Sequence, residues 1–441
     1  MSIGGAMRIA IIGAGPSGLY CAIALARRGH DMLVDREPGP PPHGLWRRGG
    51  VMQLHHAHTF RGPVVGALRA EMPDVLDDLA MRRAGIVYDG DGRAIALLCR
   101  RATFDAVLRQ RAERTAGVSI RTGYAAHTQA GLRIDGSSVA ADLVIDATGR
   151  SGRLTGRTSR PGAVVDCGAV YVTRQYRLRG PGLPPTNSPI GLSLSLDGYV
   201  AIAFIHDDRT FSVTLIHDGS DPLLRQLRHE AVFEPVIAAI AQLGEWTAPG
   251  RSDPITPVLA GGRLYNGYRG QLDDAGRPVV PGVISVGDAV CTTTPLAGRG
   301  VTLALWQARE LVRGIDGKDL SRIDIEDLAG NFDAWCRAAI KPWFVDQVHA
   351  DRHRLRRWAG HDVDLSEPLP SDLIAASAEV DRRVGALIGP YLRMDAGPHV
   401  LAAAEPLARA VFATGWRPAL PDGPSRDELA ALCQSVSART A

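Results

Sequence analysis

Apolar positions along this chain follow two different periods, and the change between them divides it. The opening stretch MRIAIIGAGPSGLYCAIALARRGHDMLVDRE runs from a short apolar segment, Met7 to Ile12, through a glycine-rich turn into a long apolar segment and a second short one. Strand, turn, helix and strand in that order predict the start of a βαβ unit. Residues 1–6 precede it as a frayed extension, and a proline-rich turn between Pro38 and Pro42 ends it. Helical spacing in PVVGALRAEMPDVLDDLAMRRAG predicts one or two helices. ATFDAVLRQRAERTAG predicts another helix, VSIRTG a short strand, and DLVIDATG a buried strand that runs into a turn.

From Gly162 to Asp218 the period becomes two, in AVYVTRQYRL, IGLSLSL, YVAIAFI and TFSVTLI, with turn residues between the runs. Alternation of this kind predicts an antiparallel sheet. PGVISVGDAV then returns as an apolar strand and VTLALWQARELVRGI as a helix. After Asp324 the pattern is helical to the end, with breaks at Pro342, at SEPLP and at RPALPDGP. The expected architecture is α/β: a split Rossmann-like dinucleotide-binding domain in residues 1–160 and 279–325, an inserted antiparallel-sheet substrate domain in 161–278, and a helical carboxy-terminal region in 326–441.

Bulk composition narrows the class. A chain of 441 residues exceeds one compact core, and 45% apolar with 22% charged residues is ordinary for a soluble protein. The net charge is only +3, and Lys318 and Lys341 are the only lysines. The arginines therefore read as compositional bias, and without a basic stripe interleaved with aromatics no nucleic-acid partner is expected. The six cysteines form no CxxC pair and no zinc-spaced cluster, so a reducing cytoplasm is expected and no metal. Met7 to Ile12 is too short for a signal-peptide core, and no run approaches the roughly 20 apolar residues of a membrane span.

The chemistry begins at Gly13, Gly15 and Gly18, with Pro16 and Ser17 between them. The first glycine permits a tight turn, the second lets a pyrophosphate approach the backbone, and the third lets helix and strand pack closely. The helix amino terminus then offers free N–H groups to phosphate. Asp35, about 20 residues on and followed by Arg36, is placed to accept a ribose hydroxyl, with Glu37 as its competitor. Far downstream, VISVGDAVCTTTPLAGRGVTLALWQA carries Asp288, Pro295, Gly298 and Gly300 ahead of another helix. Asp288 can hold the ribityl or pyrophosphate part of a flavin nucleotide. The helix start at Gly300, Val301 and Thr302 can face the flavin pyrimidine edge, where negative charge gathers on reduction.

In these four places, GAGPSG, Arg101 in RATFDAVL, DLVIDATGRSG and GDAVCTTTPLAGRG, the sequence resembles the FAD-dependent monooxygenases, the aromatic hydroxylase and squalene-epoxidase-like branch of the glutathione-reductase-type FAD fold. The resemblance covers the first 300 residues or so. It implies FAD bound by Gly13, Gly15, Gly18, Asp35, Arg101 and Asp288, with the flavin ring over the Pro295 to Gly300 loop and Leu296 beside the substrate. WRRGGVMQLHHAHTF lies where the family has a basic loop touching cofactor and flavin, which makes Arg48 and Gln53 candidates and brings His55 and His58 near flavin or substrate. The expected activity is hydroxylation or epoxidation of a largely apolar or aromatic molecule by O2, through a flavin C4a-hydroperoxide. No catalytic acid or base is assigned.

Departures from the family bear on the electron donor. The hydroxylase DG motif is replaced by the ATGRSG stretch and no second GxGxxG follows a strand, so NAD(P)H either visits transiently or a partner flavin reductase supplies the electrons. The W-x-W-x-I-P signature of flavin-dependent halogenases is missing, with Trp416 in TGWRPALP a poor match, and so is the cysteine pair of disulfide reductases. The alternatives on the same fold are a flavin dehydrogenase or reductase similar to geranylgeranyl reductases, and a non-catalytic binding protein similar to GDP-dissociation inhibitors. Near Pro342, Trp335, Trp343, Phe344 and Trp358 read as core. His349, His353 and the arginines at 352, 354, 356 and 357 read as a solvated basic face.

Overall fold

A computed structural model of the chain describes residues 8–29, 31–128, 131–152, 154, 163–316 and 324–440. The expected extension at residues 1–6 and the start of the sheet at Gly162 lie outside these. The opening βαβ unit forms as expected, with β1 (Arg8–Ile12), α1 (Pro16–Ala26) and β2 (Asp31–Asp35). A five-stranded parallel sheet grows around it, in the order Val283–Ser285, Leu143–Asp146, β1, β2, Ile120–Thr122. The split is therefore real: strands more than a hundred residues apart are neighbours, with Ile145 in register with Ile11 on one side and Ile284 on the other.

Every residue of α1 is buried, which explains an apolar run with no polar face. It packs against the Gly300–Ile315 helix, and both belong to a core that also takes in the Gly62–Glu71, Pro73–Met81 and Arg101–Arg114 helices. The helices between Ile325 and Ala413 extend the same core, including Trp343 and Phe344, while Trp335 is half-buried against Phe332. The helix break falls at Ile340, with Pro342 in the first turn of the next helix, where its missing N–H costs nothing.

The period-two segments form a six-stranded antiparallel sheet in which Gly191–Leu196, Tyr199–Ile205, Thr210–Asp218 and Ala169–Leu178 are successive neighbours. Its two faces do different work. Val172, Tyr176, Ala201, Ala203, Phe211, Val213 and Leu215 pack under the Glu230–Ala239 and Ala241–Thr247 helices. Their alternates face the parallel-sheet domain. The last helix, Arg426–Thr440, also lies on the outer face through Leu429, Ala430 and Cys433, away from the carboxy-terminal helices that precede it. All six cysteines are buried and free. Among the described residues no helix is long and apolar enough to cross a membrane.

Candidate active site

One cavity of about 650 Å³ runs from the glycine turn after β1 to the inner face of the antiparallel sheet. At the turn, Gly13 has φ +109°, and a Cβ there would lie 2.4 Å from the Ala147 carbonyl oxygen. A Cβ on Gly18 would lie 1.9 Å from the Gly13 carbonyl oxygen, so helix and strand approach only because both are glycine. Gly15 differs: a Cβ would meet nothing within 4 Å, and the space in front of it is the cavity. Gly15 also caps α1 without a side-chain hydrogen bond, so the first-turn N–H groups open on that space. Pro16 and Ser17 line it too, Ser17 against the backbone of Gly287.

A second helix start faces the same cavity. Pro295–Ala297 make one tight turn, Gly298 follows at φ +62° close against Thr59, and the Gly300–Ile315 helix begins behind Arg299 with no side-chain cap. Pro295, Leu296, Gly298, Gly300 and Val301 line the cavity. Thr302 does not; its hydroxyl is buried with no partner among the described residues.

Charged groups gather between these two starts. Asp288 lines the cavity, its carboxylate has no hydrogen-bond partner among the described residues, and burial pushes its pKa up against the pull of Arg101, Arg150 and Arg269. Arg101 is held by Asp105, with Nε 2.5 Å from Oδ1. Arg48 donates to the Ala14 carbonyl at 3.0 Å and to Glu37 at 3.3 Å, so it braces the glycine turn as well as lining the cavity. Glu37 also accepts from the Gly50 backbone N–H at 2.7 Å and lines the cavity, as do Arg36 and Gln53. The backbone of Asp35 pairs with Thr122; its side chain lies outside what is described. Of the two carboxylates considered for the ribose, Glu37 is the one seen at the cavity.

At the far end the wall is the inner sheet face: Tyr171, Thr173, Ile202, Phe204, Thr214 and Ile216, with Leu264 and Leu296 opposite. His56 and His58 line this end and His55 does not, because its Nε2 turns to the Trp46 carbonyl 2.6 Å away. Ala57 and Thr59 line the cavity as well, so four consecutive residues of this segment face it. His56 Nδ1 meets Thr173 Oγ1 at 3.0 Å, and Thr173 Oγ1 meets Thr214 Oγ1 at 2.8 Å. Burial holds His56 down at about 4, and burial with the charge of Arg101 holds His58 well below the ordinary value. Both rings are neutral at physiological pH. Residue-by-residue alternation in the sheet strands carried the signal for Tyr171, Thr173 and Thr214, but not for which face was the cavity.

The residues present fit FAD. Two uncapped helix starts, open space at Gly15 and, at the cavity wall, the half-buried acid Asp288 with no side-chain partner among the described residues meet what a pyrophosphate, a pyrimidine edge and sugar hydroxyls need. The helix read as a solvated basic face is so only in part: Arg352 and Arg356 are exposed, but the arginines are ion-paired. Arg352, Arg354, Arg356 and Arg357 pair with Glu367, Asp351, Asp364 and Asp372, and His353 and Arg354 are buried. Those carboxylates come mostly from the following segment, which neutralises the run. Trp358 packs on the far end of the cavity wall, beside Tyr171 and Leu296.

Residues 11–41 match the NAD(P)-binding Rossmann-like domain. The thiamine thiazole synthase of Thermotoga maritima is 28% identical over 162 residues, a match that spans 35% of this chain and 62% of that protein. Among solved structures, the flavin-dependent halogenase CmlS superposes with a TM-score of 0.59 at 19% identity, over 99% of this chain and 78% of that one. The flavin-dependent brominase Bmp2 gives 0.57 at 14%, over 86% and 100%. PqsL of Pseudomonas aeruginosa, a probable FAD-dependent monooxygenase, gives 0.56 at 15%, over 81% and 100%. At these identities the likeness is one of fold.

Proposed function

We propose that this chain, folded as flavin-dependent monooxygenases and halogenases are folded, is an FAD-dependent monooxygenase that hydroxylates or epoxidises a largely apolar or aromatic molecule. The observation that carries the reading is the continuity of one cavity, with two bare helix starts at its polar end and an apolar sheet face at the other. Gly15, Pro16 and Ser17 would hold the pyrophosphate, Glu37 and Asp288 the sugar hydroxyls, and Pro295 to Val301 the flavin ring, with Arg48, Gln53 and Arg101 between. Bound FAD supplies the redox chemistry, taking electrons from NAD(P)H or a partner flavin reductase and passing them to O2.

The chain's own contribution is placement and exclusion of water. Ile202, Phe204, Ile216 and Leu296 make a wall against which an apolar ring is desolvated. His58 Nε2 offers a hydrogen-bond acceptor in that wall. No side chain here is required to move a proton for oxygen transfer itself. The test is the visible spectrum of the purified protein, then anaerobic addition of NADPH, then isotopically labelled O2 with a panel of aromatic substrates. Bleaching by NADPH alone means direct reduction, and persistent colour means a separate reductase. Label in the product supports the reading. A product formed without label makes the enzyme a dehydrogenase, and a protein that never binds FAD ends the proposal.

A further inference from the structure

Behind the Pro295–Ala297 turn, outside the cavity lining, two guanidinium groups and one carboxylate lie near one another, those of Arg299 and Asp346 buried and Arg61 half-buried. Arg299, the residue before the Gly300–Ile315 helix, pairs with Asp346 at 2.6 Å, and Tyr391 donates its hydroxyl to the same carboxylate at 2.7 Å. The Arg299 guanidinium also sits 4.8 Å from the Trp343 ring centre and 5.0 Å from that of Tyr391. Its charge is accounted for. The second guanidinium, Arg61, donates from Nη2 to the Ala297 carbonyl at 2.9 Å. No carboxylate among the described residues pairs with it, and its Nε is buried without a partner.

Burial and the neighbouring charge of Arg299 bring Arg61 down to about 10, so it stays protonated at neutral pH. Two cations and one anion leave one net positive charge under the turn, beside a helix start whose dipole has the same sign. In a water-poor interior such a charge acts over a long distance.

We propose that Arg61, without touching the cofactor, raises the reduction potential of a flavin bound against the Pro295 to Gly300 loop. This rests on the FAD reading above. Reduction by an external donor adds two electrons and one proton to the ring system and leaves it with one negative charge. A fixed cation behind the loop favours that state over the neutral oxidised one.

The test is the two-electron midpoint potential of bound FAD, measured by equilibration with a redox dye, in wild type, Arg61→Gln, Arg61→Lys and Asp346→Asn. Arg61→Gln is expected to lower the equilibrium constant for reduction about tenfold, equivalent to about 30 mV for a two-electron couple. Arg61→Lys, which keeps the charge, restores most of it. Asp346→Asn removes the anion and moves the potential the other way, which also serves if Arg61→Gln fails to fold. Equal shifts in Gln and Lys mean that Arg61 acts through its bond to Ala297, and an unchanged potential in Gln means that it does not act at all; either overturns the inference while the FAD reading stands. A wild type that neither retains nor binds FAD overturns both.

Discussion

The Nδ1 of His58 lies 3.1 Å from the backbone carbonyl oxygen of His56. A carbonyl only accepts, so His58 carries its proton on Nδ1 and turns the lone pair of Nε2 to the cavity. A substrate with an O–H or N–H donor gains one hydrogen bond there, worth about 0.5–1.5 kcal/mol. His58→Leu should therefore weaken binding of 2-naphthol, read from the perturbed flavin spectrum, by roughly 2- to 10-fold. Binding of naphthalene should hardly change. Equal losses for both probes would mean that His58 only shapes the wall.

Gly15 and Gly18, three residues apart, should fail differently. Gly18→Ala drives a methyl into the Gly13 carbonyl and is expected to destabilise the apoprotein by about 1–3 kcal/mol, visible as a lower melting temperature. A Cβ from Gly15→Ala meets no protein atom within 4 Å, so the melting temperature of the apoprotein should hold while FAD content after purification falls. A Gly15→Ala variant that keeps its full flavin complement would remove the pyrophosphate from this turn.

Asp207 joins the two main domains. It is 1% exposed and accepts from the Arg100 backbone N–H at 2.6 Å, from its guanidinium at 2.6 Å and from Thr103 Oγ1 at 2.9 Å. Burial pushes the carboxyl up, but the hydrogen bonds and charge of Arg100, with Thr103, hold it below the ordinary value. Asp207→Asn leaves Arg100 facing a neutral amide and should cost about 3–5 kcal/mol at pH 7 by urea unfolding. A depressed carboxylate stabilises above its unfolded pKa and ceases to as pH falls through the folded one. The gap between wild type and variant should accordingly shrink below about pH 4.

His56 and His206 are both held down at about 4 by burial, His56 further by His55, and His206 by Arg100 against the opposing pull of Asp207. With folded values below the unfolded one of about 6.5, the unfolded chain binds more protons between those limits, so stability rises with pH there. Each ring should cost about 2 kcal/mol on going from pH 6.5 to 5. His206→Gln, measured by urea unfolding at both pH values, should reduce the stability lost between them by one ring's share, about 2 kcal/mol. An unchanged slope would mean that His206 is protonated in the folded protein.

Much of the polar end of the site was legible because its demands are local. Gly13, Gly15 and Gly18 answer steric needs within one turn, and the Pro295 to Gly300 loop is read the same way. Arg48 was legible as a cavity residue but not as the brace of the Ala14 carbonyl, since its partner Glu37 approaches only when the proline-rich turn folds back. The helices at Glu230–Ala239 and Ala241–Thr247 were not anticipated: the first carries Pro235 within an apolar stretch, and only the sheet beneath gives that stretch a reason to be helical. The ion pairing of Arg352, Arg356 and Arg357 was not legible because the carboxylates that neutralise them arrive from the following segment.

Period and glycine placement alone determined the βαβ opening, the return of the parallel sheet at Val283 and the antiparallel insert, because hydrogen-bonded backbone and close packing depend on residues near one another in the chain. Closure of the chain decided the rest. It put His56 rather than His55 at the cavity, sent the last helix to the outer face of the sheet, and left Arg61 near Arg299, whose carboxylate partner Asp346 it does not share. Those outcomes depend on which distant surfaces meet when apolar area is buried, and a local pattern carries no record of a partner hundreds of residues away.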